Sequence, residues 1–148
     1  MPETIAIASD HAGFDLKQLL AEELKRLGFA PLDLGTHDRN SVDYPDFADA
    51  LAAALKDGRA KRGVLICGTG IGIAIAANRH PHIRAGNCHD ATSARLTRQH
   101  NDANVLAMGA RLIGTTVARD CLETFLSTAF EGGRHQRRLD QIRDAERR

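Results

Sequence analysis

Five times along this chain a short apolar, β-branched run is followed by a longer stretch of helical periodicity, and that alternation constrains the fold more than any other feature. Thr4 to Ala8, Phe29 to Leu34, Val64 to Ile66, Ile83 to Cys88 and Asn104 to Met108 read as strands. Phe14, Leu16, Leu19, Leu20, Leu24 and Leu27 recur at helical spacing, and Gly28 follows as a C-terminal stop. Further helices are expected over Asp46 to Lys56 (with Pro45 at its start and Gly58 past its end), Gly70 to Asn78, Asp90 to His100, Thr115 to Ala129, and from about Arg134 onward. Strands separated by helices pair in parallel, because each crossover helix carries the chain back over the sheet. The expected fold is therefore α/β, with a five-stranded parallel sheet between two helical layers.

The 148 residues suit one core. Residues 1–130 are expected to form the domain. Glu131-Gly132-Gly133 is a linker-like break before a helical extension over 131–148. That last helix offers only Leu139, Ile142 and Ala145 as an apolar stripe, so it must dock on its own body or on a neighbour.

Composition excludes several functions. Twenty Lys+Arg against 19 Asp+Glu leave a net charge of +1, so no global field favours nucleic acid or an anionic membrane. No run reaches the ~18 apolar residues of a membrane span. The start, Met1-Pro2-Glu3-Thr4, has no basic region or cleavage pattern, and no secretory signal is expected. Three widely spaced cysteines, Cys67, Cys88 and Cys121, suit a reducing cytoplasm better than a disulfide framework.

Ligands of open parallel sheets bind at the carboxyl ends of the strands. The segments to search are Ser9-Asp10-His11, Gly35-Thr36-His37, Cys67-Gly68-Thr69-Gly70, Asn87-Cys88-His89 and Gly109-Ala110-Arg111. In Cys67-Gly68-Thr69-Gly70-Ile71-Gly72, alternating glycines let the backbone approach a ligand, and a helix start offers N–H groups to an anion. A thiol there feels the positive helix end, which favours thiolate. The competing reading is a tight turn with an inert cysteine. The loop lacks the spacing of a dinucleotide fingerprint, the lysine of a Walker loop, and the arginine of a phosphatase loop, whose place Ile73 takes. An oxyanion-binding turn beside an ionisable thiol stays open, as proton abstraction next to a carbonyl requires.

Asp10-His11 is either a polar pair facing the cleft or a helix cap. His100, within Arg98-Gln99-His100-Asn101-Asp102, is either a proton carrier or a solvated helix end. Arg134 and Arg138 share a helix face and could grip a phosphate, or form a solvated basic tail; Arg111 is a second anion candidate. His37, His80, His82, His89 and His135 lack zinc-site spacing, so no metal is expected. Cys88 and Cys121 read as packing residues.

Five stretches in order resemble the ribose-5-phosphate isomerase B family, which includes galactose- and allose-6-phosphate isomerases. They are Ser9 to Phe14, Asp43-Tyr44-Pro45, Cys67 to Gly72 with Ala76-Ala77-Asn78, Arg98 to Asp102 with Asn104-Val105-Leu106, and Glu131 to His135. The resemblance implies a Rossmann-like aldose–ketose isomerase of sugar phosphates, without metal or cofactor, working as a homodimer or dimer of dimers whose sites draw on both subunits. It implies Cys67 as the base moving a proton between C2 and C1. Family members that lack this cysteine carry a glutamate six residues on, where Ile73 stands here. Thr69 and the amides around Gly68, Gly70 and Gly72 would hold the enediolate. His100, helped by Asp10, would open the sugar ring. His11, Arg111, Arg134 and Arg138 would bind phosphate, and Tyr44 and Asn101 the sugar. Ribose 5-phosphate is the expected substrate. Other readings are a six- or four-carbon sugar phosphate, a non-catalytic phosphosugar- or nucleotide-binding module, and a thiol-redox role.

Overall fold

A computed structural model describes residues 1–145; the last three positions of the expected extension lie outside them. The strands are β1 (Thr4–Ser9), β2 (Ala30–Asp33), β3 (Arg62–Cys67), β4 (Ala85–Asn87) and β5 (Val105–Gly109). Between and after them run α1 (Phe14–Arg26), α2 (Tyr44–Lys56), α3 (Ile71–Ala77), α4 (Ala91–Asn101), α5 (Thr115–Ser127) and α6 (Arg134–Arg143). The sheet is parallel throughout, in the order β2-β1-β3-β5-β4. This is the expected Rossmann-like architecture.

Side-chain alternation along the strands builds two different cores. One face of β1 carries Ile5 and Ile7, which pack with Leu16, Leu20 and Leu24 of α1 and Cys121, Leu122 and Phe125 of α5. Its other face carries Ala6 and Ala8, which meet Ala48, Leu51 and Ala52 of α2 and Ile73, Ala74 and Ala77 of α3. The alanine-rich sequence of α2 thus fits a face where helix and sheet approach closely.

Boundaries differ from expectation where polar chemistry ends an element. Strand β4 is three residues long rather than six, because its approach is held by side chains: Asn104 Oδ1 accepts from the Arg84 amide and Asn78 Oδ1 from the Ala85 amide. Helix α2 starts at Tyr44, two residues early, since Pro45 fits the first turn. Asp90 accepts from the Ser93 amide in a capping box that starts α4. Cys88 and Cys121 are buried, and burial pushes their thiols up to about 11 and about 12.

Helix α6 lies against α4 of its own chain, with Leu139 buried and Ile142 exposed. No helix among the described residues is long and apolar enough to cross a membrane.

Candidate functional site

The chain reverses direction across the sheet between β1 and β3, which opens a crevice at their carboxyl ends. Asp10 follows β1 and Cys67 closes β3, so two of the expected site residues flank that switch point. The Asp10 amide donates to the Ile66 carbonyl, which ties the two strand ends together. Asp10 is buried, and its Oδ1 accepts from the Gly13 amide at 3.1 Å. Its carboxylate therefore does cap the turn entering α1.

Cys67 is 4% exposed and packs into the alanine-rich core, but its sulfur keeps one polar contact. The Gly70 N–H donates to Sγ at 3.2 Å. Gly70 takes the left-handed conformation (φ 78°) that aims this amide back at the sulfur before α3 begins. The expectation that the Gly70 amide faces a substrate oxygen is corrected by this bond, because the sulfur already takes it. A thiolate accepts such a bond more strongly than a thiol does. Thr69 is exposed and its Oγ1 accepts from the Ile71 amide at 3.1 Å, leaving the hydroxyl proton available to donate.

Two side chains lie over this turn. The Arg111 guanidinium stands 3.2 Å from where a Cβ on Gly68 would be, and the Arg111 amide donates to the Gly68 carbonyl. Among the described residues Arg111 has no carboxylate partner. The Tyr44 ring stands 2.6 Å from a would-be Cβ on Gly72, so this glycine leaves room for the phenol. His11 joins the same edge. Its Nδ1 accepts from the Val42 amide at 3.1 Å, which puts the proton of a neutral ring on Nε2 as a donor.

His100, Asn101, Arg134 and Arg138 are not part of this cluster within one chain. Helix α4 runs back from β4, so its last residues reach the amino edge of the sheet. Asp102 there lines a cleft with Thr4 and Arg62, the first residues of their strands. The expected help of Asp10 to His100 is therefore absent inside one subunit. At that amino edge His100 stacks on His135, with centroids 4.4 Å apart. Arg134 and Arg138 are exposed and form no ion pair among the described residues. Two clefts of about 780 and 820 Å³ also open on that side, and neither is lined by Cys67. The thiol is where the chemistry points.

Sequence reading missed four contributors. Ser9 Oγ and Asn87 Oδ1 are buried at the carboxyl edge with no hydrogen-bond partner among the described residues, and both sit in strand-end segments that the fold class had flagged. Val42 orients His11 from 31 positions away, and Glu131 lies 3.8 Å from His100 across a similar gap; no periodicity signals either.

A parallel sheet with a thiol, a glycine turn and an arginine without a carboxylate partner among the described residues at its switch point fits a Rossmann-like α/β enzyme. Residues 5–142 match the family model of ribose/galactose isomerases, and the chain belongs to that family, an aldose–ketose isomerase by class. It is 44% identical to ribose-5-phosphate isomerase B of Escherichia coli over 97% of both chains. It is 42% identical to D-erythrulose-4-phosphate isomerase of Pectobacterium atrosepticum, over 94% of this chain and 92% of that one. The solved ribose-5-phosphate isomerase B of Clostridium thermocellum superposes with a TM-score of 0.95, at 49% identity and 97% coverage of each chain.

Proposed function

We propose that this protein interconverts ribose 5-phosphate and ribulose 5-phosphate in the cytoplasm, with Cys67 as the base. The observation that carries this reading is the Gly70 N–H held on the Cys67 sulfur at the switch point. The thiolate removes the C2 hydrogen of the open-chain aldose while the C1 carbonyl oxygen takes up the charge. The thiol then returns the proton to C1, O2 becomes the carbonyl oxygen, and the O2 proton passes to O1. That hydrogen is a very weak acid, so the forming oxyanion needs fixed donors, each worth roughly 3–4 kcal/mol. The Thr69 hydroxyl and the amides of Gly68 and Gly72 take this role. Gly70 acts on the sulfur instead. His11 Nε2–H and Arg111 bind phosphate, Tyr44 contacts the sugar, and Asp10 fixes the β1 end.

The site is completed by a second copy of the chain. His100 opens the furanose ring, Asn101 contacts it, and Arg134 and Arg138 close on the phosphate from the partner. Three features support this arrangement: the opposite edges on which the two groups stand, the two described clefts that Cys67 does not line, and exposed apolar Ile71, Ile75 and Leu112 beside the glycine turn and Arg111. Apolar side chains clustered next to a catalytic turn suit a homodimer interface. Residues 131–148 then serve as an extension that reaches over the subunit boundary.

A four-carbon sugar phosphate is the second reading, favoured by the likeness to the erythrulose-phosphate enzyme. Measuring kcat/KM for four-, five- and six-carbon aldose phosphates separates the two. Exchange of the C2 hydrogen in heavy water tests the chemistry. Exchange lost in Cys67→Ala, with the fold retained, supports the base; exchange that persists in that variant overturns it.

A further inference from the structure

At the amino edge, the fold gathers three side chains that no sequence spacing connects. The ligand-type atoms of His100, Glu131 and His135 all lie within 4.8 Å of one another. His135 is 7% exposed, and its Nε2 is buried with no hydrogen-bond partner among the described residues. A buried, unpaired ring nitrogen carries a desolvation cost that a ligand can offset. His100 and Glu131 close the group from the solvent side, with side chains 40% and 51% exposed.

We infer that His100, Glu131 and His135 form a binding site for a divalent transition-metal ion of the Zn²⁺ class, and that the bound ion blocks ring opening. Two imidazoles and a carboxylate, with a fourth position open to water, are a donor set such ions accept. Hard cations such as Mg²⁺ prefer oxygen donors and are not suited to it. Arg134 and Arg138 oppose a cation at this place, and the Glu131 carboxylate offsets them. The two rings now lie 18° from parallel, so His100 must turn to bring its lone pair onto the ion, which its half-exposed position permits. The blocking step rests on the ring-opening role proposed for His100, since a nitrogen bound to metal cannot carry a proton. Metal binding does not depend on that role.

The test starts from chelator-stripped full-length protein titrated with Co²⁺, which reports coordination by its visible absorption. Saturable uptake of one ion per chain is expected, weakened at least ~10-fold in Glu131→Gln and in His135→Gln. Uptake should be unchanged in Cys67→Ser, which removes the one soft ligand that the proposed dimer brings towards His100 from the other copy. Thermal unfolding with and without metal separates lost binding from lost folding: each folded variant should gain less stabilisation than the parent. Uptake that does not saturate, that is equally tight in both variants, or that vanishes with Cys67→Ser overturns the site. Zn²⁺ is expected to slow turnover of the ring-form sugar, reversibly by chelator, and to lose this effect in Glu131→Gln. Binding without such slowing overturns the block.

Discussion

The backbone amide of Gly70 donates to the sulfur of Cys67 at 3.2 Å, so the turn that would hold a substrate oxyanion also holds the proposed base. Nothing larger than hydrogen fits at Gly70. A Cβ there would lie 2.5 Å from Asn87 Oδ1 and 2.7 Å from the Met108 carbonyl carbon, at a φ of 78° that costs a non-glycine residue about 1–2 kcal/mol before any clash. Gly70→Ala should lower the thermal midpoint and, by shifting the sulfur, reduce kcat by roughly 100-fold. Steady-state kinetics beside a melting curve reads both effects. An unchanged kcat would detach the turn from catalysis.

Cys67 and His100 stand at opposite edges of one chain, and this separation makes complementation measurable. On the proposed dimer, the Cys67→Ala and His100→Ala proteins should each be nearly inactive. Mixed by unfolding and refolding, they should regain about 25% of parental activity, because half the dimers are heterodimers with one intact site. No recovery in verified heterodimers would mean that each site is built within a single subunit.

Lys17 is fully buried on α1, and its Nζ donates to Asp33 Oδ2 at 2.6 Å. The other Asp33 oxygen accepts from the Gly35 amide, and the Gly35 carbonyl in turn accepts from the Ser9 amide beside Asp10. Removing the carboxylate leaves a buried cation without a counter-charge. Because the Asp33 side chain is 32% exposed and Gln18 Oε1 also accepts from Nζ, Asp33→Ala should cost about 2 kcal/mol in denaturant unfolding, between a buried and a surface pair. A loss below 1 kcal/mol would show the pair behaving like an exposed one.

His135 supplies a pH dependence. Burial first, then the Arg134 charge, hold its imidazole below the ordinary histidine range, so the folded protein keeps it neutral. The unfolded chain takes up that proton near pH ~6.5 and binds more protons than the fold does. Stability should therefore be constant above that pH and decline as pH falls below it. In His135→Gln the decline between neutral pH and pH ~5 should be shallower, as chemical denaturation across that range would reveal. Identical slopes would remove His135 as the cause.

The architecture was legible because it rests on local rules. Alternating apolar runs and helical periods dictate parallel pairing, Gly28 and Gly58 end helices with positive φ, and Pro45 opens α2. The carboxyl-edge candidates followed from the same logic, since Asp10 directly follows a strand, Cys67 ends one, and Arg111 lies in the turn that leaves another. Element ends were less legible. The shortness of β4 depends on Asn78 and Asn104, which reach it from other parts of the chain.

By itself, the sequence determined the order of elements, the family, and a thiol set in a glycine turn, because each is written in short local runs and in the order of those runs along the chain. Only the tertiary structure decided which of those residues meet. It turned the Gly70 amide onto the sulfur, oriented His11 through Val42, and sent His100 and the arginines of α6 to the far edge of the sheet. Such meetings depend on strand order and helix direction, which set distances between residues many positions apart and leave no trace in local spacing.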